Sequence, residues 1–367
     1  MSTYQHFIAC WRAIFADKGA VLLLFIAGII YSFFYPLPYA YEKVEAVPLV
    51  IANLDQSQAS RQLIRLIEAS PAVTVQQVNT TEQVQQVLWQ AKTMALVVIP
   101  ATFQQDLLAG ESAELILASH GGYLLAGSKA LGTVSQAALT MGAVISADKA
   151  QRLGQSSQQA SANQQLVKLE ARPLFNPNEG YGHYVVPAVL VLILQQSLLM
   201  GVTLVLGHKT QAELQAGGVQ GYFGMLACFS LVALINCLYF FVVAVRLQSY
   251  HQVSHFGELL LFSILFSVCI AAFALLLASW FDTRERGLQL LLATAVPMLF
   301  LSGYSWPTEA LPEILQYLRW LLPSTAGIQG FVSLNQLGAS LAQLQHEVLV
   351  LLGLTFSAVY LGIRRYH

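Results

Sequence analysis

The sequence is short of charge. Only 10% of its 367 residues are aspartate, glutamate, lysine or arginine, whereas soluble domains carry about 25%. Hydrophobic residues make up 56% of the chain, and the mean hydropathy is +0.59. This composition excludes an ordinary soluble protein and predicts a membrane protein.

Cysteine is also scarce, and a basic field is absent. The long polar segment contains no cysteine, and the four in the chain lie in or just before apolar runs: Cys10, Cys228, Cys237 and Cys269. We therefore expect four buried thiols and no disulfide framework. The formal net charge of −1 provides no positive field for nucleic acid, so nucleic acid is excluded as a partner.

Catalytic and ATP-binding motifs are missing as well. Residues 122–129 (GYLLAGSK) have two glycines at P-loop spacing, but Ser128 separates the second glycine from Lys129, so the ammonium is misplaced for phosphate binding. His251 and His255 have an i,i+4 spacing that could bind a metal on a helix, although histidines in interfacial loops explain it better. The sequence thus predicts no enzyme, no metal site and no cofactor of its own.

What the sequence does contain is six apolar runs that could cross a membrane. They are residues 19–35, 184–206, 222–245, 256–281, 288–304 and 348–363. Residues 1–18 carry apolar side chains at helical spacing, which predicts an amphipathic helix on the membrane surface, in contact with lipid. A cleaved signal peptide is the alternative for the first run, but Pro38-Tyr39-Ala40 is a poor cleavage site, so we favour a retained anchor.

Lysine and arginine near the ends of these runs predict the orientation. One side holds seven of them: Arg12, Lys18, Lys209, Arg284, Arg286, Arg364 and Arg365. The short loops on the other side hold two, Arg246 and Arg319. This bias places both termini in the cytoplasm and residues 36–183 outside.

The polar segment 36–183 is about 150 residues long, enough for one domain. Its apolar or alternating runs predict four strands, at 47–53, 73–78, 95–99 and 115–118. Amphipathic stretches predict helices between them, near 57–67, 80–88 and 103–108. This alternation predicts a small α/β domain. From 124 to 170 the pattern becomes helical and predicts a long stalk, with a broken helix or polar linker at 154–163 as the alternative.

One stretch, residues 287–331, organises the rest of the chain. Its apolar first part carries Pro297, which membrane helices tolerate when neighbours satisfy the freed carbonyl. An interfacial break follows at 303–307, then a short amphipathic helix near 312–322 that Pro323 should end. We expect three parts: 1–35 with the amphipathic helix and first span, 36–183 as an extracytoplasmic α/β domain, and 184–367 as a five-helix bundle with the short external helix. The fold class is thus an α-helical polytopic membrane protein with six transmembrane helices.

Spaced motifs occur along nearly the whole chain. The central one consists of Leu301-Ser302-Gly303, Pro307, Leu311-Pro312, Leu322-Pro323 and Gly330-Phe331. Others lie at 50–63, 95–110, 175–177 and 186–187. Together they resemble the permeases of ABC transporters of the type 2 exporter class, and they are most similar to bacterial members implicated in exporting drugs and other amphipathic compounds. The resemblance implies a multi-pass protein of the bacterial inner membrane, with 36–183 in the periplasm.

The same resemblance implies partners. Two permease subunits, identical or paralogous, would face each other, with a separate cytoplasmic ATPase under each that binds the ATP. The external domain could dock a periplasmic adaptor protein. Loops 208–221 and 282–286 can be reached from the cytoplasm, so we predict ATPase-coupling contacts at Lys209, Glu213, Asp282, Arg284, Glu285 and Arg286. A solvated turn explains 282–286 equally well, and only Glu213-Leu214 match the family pattern in the other loop.

Polar groups inside apolar runs are costly and therefore mark candidate sites. Gln195, Gln196, Asn236 and Pro297 form our predicted translocation path, with hydrogen bonding between helices as the alternative for the amides. The runs contain essentially no charge, which argues against a carrier driven by protons or sodium. The sequence favours a permease of an ATP-driven exporter; the alternative is a non-transporting scaffold or receptor whose external domain binds a partner.

Overall fold

A computed structural model describes residues 2–39, 46–80, 83, 94–109, 112–119, 124–152, 181–207, 209–250 and 252–367. The chain divides into two units, one made of Met1–Glu42 with Pro173–His367, the other of Lys43–Arg172. The helix expected near 80–88, the segment 154–163 and the motif at 175–177 lie outside the described residues.

Two helices open the chain. Helix α1, Thr3–Ala16, begins with a capping box in which Ser2 and Gln5 accept each other's backbone N–H. Helix α2 consists of three consecutive segments, Lys18–Val21, the π-helical Leu22–Ile26 and Ala27–Phe34. The predicted amphipathic helix and the first apolar helix are therefore both present.

The smaller unit contains a four-stranded sheet with the strand order β2-β1-β3-β4. Strand β1 is parallel to β2 and β3, and β4 is antiparallel to β3. The elements are β1 Val47–Asn53, α3 Gln58–Glu68, β2 Val73–Val78, β3 Ala95–Ile99, α4 Phe103–Ala109, β4 Ile116–Ser119 and α5 Leu124–Arg152. The four predicted strands are confirmed. The near-continuous apolar run of the central strand β1 is typical of a strand buried on both faces, whereas β2 and β4 at the two edges of the sheet are more exposed.

Apolar side chains cover both faces of this sheet. On one face, Leu49 and Val97 pack with Ile64 of α3 and Val134 of α5. The other face carries a smaller cluster of Val50, Ala52, Val78, Leu96 and Val98. Helix α5 is described for 29 residues, about 43 Å at 1.5 Å per residue, so the first part of the predicted stalk is helical.

The larger unit continues with helices that surround a common core. They are α6 Tyr181–Leu206, α7 Gln211–Gln215, α8 Gly218–Leu238, α9 Phe256–Ala278, α10 Arg284–Leu301, α11 Glu313–Leu318, α12 Pro323–Asn335 and α13 Gln345–Tyr366. Helix α8 continues without a break through the π-helical Tyr239–Ala244 and then Val245–Leu247.

Five helices in the described part of the chain are long and apolar enough to cross a membrane. They are Lys18–Tyr39, Val185–Leu206, Gly218–Leu247, Phe256–Ala278 and Gln345–Tyr366. The remaining predicted span corresponds to α10, whose first turn is charged and which ends at Leu301 rather than Tyr304. Its apolar part, 287–301, reaches only about 22 Å, less than the ~30 Å of a typical hydrocarbon core. The count of six spans is therefore not confirmed.

Helix α9 is the centre of the larger unit, and α6, α8, α12 and α13 all pack against it. The hydroxyl of Tyr366 donates to the carbonyl oxygen of Leu275 over 3.1 Å, which ties the end of α13 to α9. The Tyr366 ring also meets the ring of Tyr222 edge-on, with centroids 5.3 Å apart. These contacts fix the last helix on the central one.

Helix α1 packs against the start of α8. A Cβ at Gly224 would lie 2.6 Å from the Cβ of His6, so only glycine allows this approach. The neighbouring thiol of Cys228, together with burial, raises the pKa of Cys10 in α1. All four cysteines are free and buried, which confirms the prediction of buried thiols.

Helix α12 adds to the sequence prediction. The short helix α11 continues as a 3-10 turn, Arg319–Leu321, and ends directly before Leu322-Pro323 as expected, but Pro323 is also the first residue of α12. Proline suits the first turn of a helix because its missing N–H is not needed there. Nearly every residue of α12 is buried, so the bundle contains an internal helix that the sequence reading missed.

The turn after α10 explains the Leu301-Ser302-Gly303 motif. Gly303 has a φ of +83°, a conformation that favours glycine. A Cβ there would lie 2.9 Å from Nη1 of Arg319 and 2.5 Å from Cγ2 of Thr308. Arg319 is buried, and its guanidinium carbon lies 4.8 Å from the ring centroid of Trp320. The glycine thus lets Arg319 pack against this turn.

Candidate functional site

Arg284, a predicted coupling residue, is bound inside the larger unit. Its Nη1 donates to Oδ2 of Asp17 over 2.8 Å, and the side chains of Arg284 and Asp17 are mostly buried, at 32% and 22% exposed. Asp17 in turn caps α2, since its Oδ1 accepts from the backbone N–H groups of Gly19 and Ala20. The Ala20 N–H and Arg284 lower the pKa of Asp17. The ion pair therefore joins the start of α10 to the start of α2.

The first predicted coupling loop also has an internal role. Glu213 accepts from the backbone N–H of Thr210 over 2.7 Å, and Thr210 accepts from Glu213, which forms a capping box at the start of α7. Lys209 is half-buried and lines a cavity with Asp17 and Arg284. This loop thus contributes one capping carboxylate and one cavity-lining ammonium.

The second loop presents the more accessible charges. Glu285 and Arg286 are exposed, and Arg286 pairs loosely with Asp282 at 3.7 Å, with side chains 74% and 84% exposed. Such an exposed pair contributes about 0–1 kcal/mol. Thr283 caps α10 by accepting from the backbone N–H of Arg286. The loop is therefore a solvated, mixed-charge surface held directly on a rigid helix end.

The predicted path residues Gln195 and Gln196 lie together at a buried contact between α6 and α10. Both Nε2 groups donate to the sulfur of Met298, at 3.6 and 3.5 Å, and Gln196 also donates to the carbonyl oxygen of Leu291 at 3.4 Å. Met298 follows Pro297, which lies inside α10. Both carboxamide oxygens are buried and accept no hydrogen bond from the residues that the structure describes. The amides are thus only partly satisfied.

Asn236 occupies a different contact, between α8 and α2. Its Nδ2 donates to the carbonyl oxygen of Leu24, in the π-helical segment of α2, over 2.8 Å, and to that of Val232 over 2.9 Å. The same two helices are joined by the hydroxyls of Ser32 and Tyr239, 2.8 Å apart. This geometry matches the alternative of hydrogen bonding between helices.

Replacing Asn236 with leucine should therefore loosen this contact. The carbonyl oxygen of Leu24 would lose its donor inside an apolar environment, and we expect a loss of about 1 kcal/mol in stability. Thermal unfolding of the purified chain in detergent measures this. Gln220→Leu, an exposed position near the start of α8, serves as the control and should leave the melting temperature unchanged. Equal melting of both variants and wild type would contradict a structural role for Asn236.

Two residues of this site were missed by the sequence reading. Asp17 directly precedes an apolar run, and an aspartate in that place is a helix-start signal that could have found its capping role. Its ion pair with Arg284 could not be predicted from neighbouring residues, because the two residues lie 267 positions apart in the sequence. Met298 resembles any other apolar residue of α10, so its contact with the glutamines could not have been predicted.

A metal centre is not visible among the described residues, where no group of three or more histidine, cysteine or acidic side chains is suitably placed. His251 lies outside those residues. The site consists of buried amides, a sulfur acceptor and surface charges, which can position and guide a bound group.

Two comparisons with known proteins bear on this arrangement. Residues 20–364 match the family described as ABC-2 family transporter protein. The "Probable multidrug ABC transporter permease YbhR" of Escherichia coli strain K12 is 24% identical over 327 residues, which cover 82% of this chain and 80% of that protein. The protein of the same name from Escherichia coli O157:H7 matches equally.

Five apolar helices of spanning length define a polytopic membrane protein: α6, α8 and α13 pack against α9, and α2 packs against α6. The family match extends over nearly the whole length, and the chain belongs to the ABC-2 transporter family, whose members are permease subunits of ABC transporters. The resemblance found in the sequence is thereby confirmed. Members lack an ATPase site, and membership implies a partner ABC ATPase.

Proposed function

We propose that this chain is the membrane-spanning subunit of an ATP-driven exporter that moves amphipathic or drug-like compounds out of the cytoplasm or the inner membrane. The proposal rests on α10, because this one helix connects an exposed charged loop to the buried amides. The exposed loop 282–286 begins this helix, and further along it Leu291 and Met298 contact the buried amides of Gln195 and Gln196. A push at the loop would act directly on the amides. The name of the Escherichia coli relatives supports the choice of cargo.

The proposed topology counts α10 as a membrane crossing in addition to the five apolar helices of spanning length. Its short apolar part is followed by Tyr304 and Trp306, aromatic residues suited to a membrane interface. With six crossings, the bias of seven basic residues against two supports a topology in which both termini lie in the cytoplasm of a bacterium and residues 36–183 lie in the periplasm. The α/β unit would then be available to an adaptor protein.

A second permease subunit is part of the proposal. Helices α2 and α13 leave large apolar side chains exposed, among them Ile30, Phe34, Leu349 and Phe356. Such faces suit lipid and a second permease, identical or paralogous, related by a two-fold axis.

The coupling contact is proposed at Asp282, Glu285 and Arg286, since Arg284 and Glu213 already have internal roles. Reversing Arg284 would bring two carboxylates together at Asp17 and so disturb the fold. The sharper test exchanges the loop charges, with Asp282→Arg and Arg286→Asp in one variant. This exchange preserves the loose internal pair but reverses the pattern that a partner meets. We expect co-purification of the ATPase and its stimulated hydrolysis to fall at least several-fold.

The matched control is Arg12→Asp, which introduces the same kind of charge reversal on an exposed position of α1. It should leave ATPase association unchanged. If the exchanged variant binds and stimulates the ATPase as wild type does, this loop is not a coupling site. If no ATPase co-purifies with wild type from its native host, the scaffold or receptor alternative is favoured instead.

A further inference from the structure

The larger unit contains an open cavity of about 510 Å³ where the ends of four helices meet. It is lined by Ala13 and Ala16 of α1, Asp17, Lys18 and Gly19 at the start of α2, Val205 at the end of α6, Lys209, and Arg284 at the start of α10. We call it the basal cavity. Its polar lining consists of three cations and one carboxylate, which leaves two positive charges.

These two charges belong to Lys18 and Lys209. The carboxylate of Asp17 is already matched by Arg284 and by the N–H groups of Gly19 and Ala20. Within the described part of the chain, neither Lys18 nor Lys209 has an acidic group within ion-pair distance. Two ammonium groups thus face one cavity without an anion to balance them.

Exposed apolar side chains lie close to the lining residues along the two helices. Phe15 directly precedes the lining residue Ala16 in α1 and is 56% exposed, and Leu22 lies about one helical turn beyond Lys18 in α2 and is 47% exposed, so both offer surface to hydrocarbon. The ring of Phe15 stacks on Phe25 of α2 with centroids 5.7 Å apart, which extends this surface along α2. A ligand with an anionic head and apolar chains would therefore find both of its parts accommodated.

We infer that the basal cavity binds the headgroup phosphate of an anionic phospholipid, held by Lys18 and Lys209, with its acyl chains against Phe15 and Leu22. A lipid fits better than an ATPase side chain because the two exposed apolar side chains, Phe15 and Leu22, lie close to the cavity lining along α1 and α2. The charges that protrude toward a protein partner are those of the 282–286 loop. Bound there, the lipid would join α1 and α2 to the ends of α6 and α10, the two helices that hold the amide contact. The inference rests on the proposed function only for the side of the membrane.

The test uses the full-length purified chain in a neutral detergent, titrated with phosphatidylglycerol and followed by native mass spectrometry and thermal unfolding. Phosphatidylcholine with the same acyl chains and inorganic phosphate are the comparison probes. We expect one phosphatidylglycerol to bind and to raise the melting temperature, with little effect of the other two. Since each lysine near an anionic lipid contributes about 1 kcal/mol, the Lys18→Gln, Lys209→Gln variant should bind roughly 30-fold more weakly.

The matched control is Arg12→Gln, Arg286→Gln, which removes the same charge from exposed positions away from the cavity lining and should retain lipid binding. The single Lys209→Gln variant, measured beside the double one, and melting without lipid show that the fold is intact. Equal binding by the lysine double variant and wild type would overturn the inference. So would inorganic phosphate binding as tightly as the lipid, or loss of ATPase association in the lysine variant with lipid binding unchanged. None of these lipid readouts depends on export, so they can fail while the proposed function stands.

Discussion

Replacing Gly330 with alanine should strongly destabilise the membrane-embedded unit. A Cβ at this position would lie 2.0 Å from Cζ of Phe262, far inside van der Waals contact. The ring of Phe262 cannot move aside, because it is 1% exposed and packs edge-on against Phe331 with centroids 5.0 Å apart. Phe331 is itself stacked on Phe241 at 4.0 Å. We expect a loss of about 3 kcal/mol or more, since overpacking a dense core costs about 1–3 kcal/mol even when the clash is milder.

The control for this change is Gly353→Ala in α13, where the backbone is also helical and nothing lies within 4 Å of the added Cβ. Alanine is the better helix former, so this variant should be neutral or slightly more stable. Fluorescence-detected size exclusion and thermal unfolding in detergent compare the two. If Gly330→Ala melts like Gly353→Ala, helix α12 is not packed against α9 as the structure has it.

The elements most readily predicted from sequence were those whose signal is local. The runs 47–53, 73–78 and 95–99 became strands with those bounds, because apolar periodicity and flanking breaks are properties of neighbouring residues. The apolar helices were found for the same reason. Their ends were less certain, since α10 ends three residues before the apolar run does.

Features that depend on distant contacts could not be predicted. The run 323–335 contains one proline and two glycines, residues that locally disfavour a helix. It is nevertheless a helix, and Phe262 and Phe266 of α9 fill the space beside Gly330 and Gly327. Likewise, the local sequence predicts a solvent-facing loop charge at Arg284, whereas in the structure its Nη1 lies 2.8 Å from Oδ2 of Asp17. Both cases are tertiary contacts that override a local pattern.

The amides of Gln195, Gln196 and Asn236, which the sequence analysis grouped in one translocation path, have different hydrogen-bond partners in the structure. Asn236 uses its donor on a backbone carbonyl oxygen of α2, whereas Gln195 and Gln196 use theirs on the sulfur of Met298, a weak acceptor. The buried carboxamide oxygens of Gln195 and Gln196 accept no hydrogen bond from any described part of the chain. An unsatisfied polar group in an apolar interior is costly, so it is poorly explained as a stabilising contact.

The double variant Gln195→Leu, Gln196→Leu should therefore keep or raise stability while reducing transport. Leucine fills nearly the same volume and removes two unsatisfied oxygens, so we expect an unchanged or higher melting temperature. If the amides offer their oxygens to cargo, efflux of a fluorescent amphipathic dye from cells that lack other exporters should fall about tenfold or more. ATPase association should stay at the wild-type level, because the loop 282–286 is unchanged.

Comparison with Asn236→Leu distinguishes the two kinds of amide. That variant should lose stability, and its transport should fall only in proportion to the folded protein in the membrane. Normal efflux by the glutamine double variant would show that Gln195 and Gln196 serve only the packing of α6 on α10. A marked fall in its melting temperature would also contradict the proposal. It would show that the two amides stabilise the packing of α6 on α10, even though their oxygens accept no hydrogen bond from the described residues. Only retained stability with lost transport places the path of the cargo at this contact.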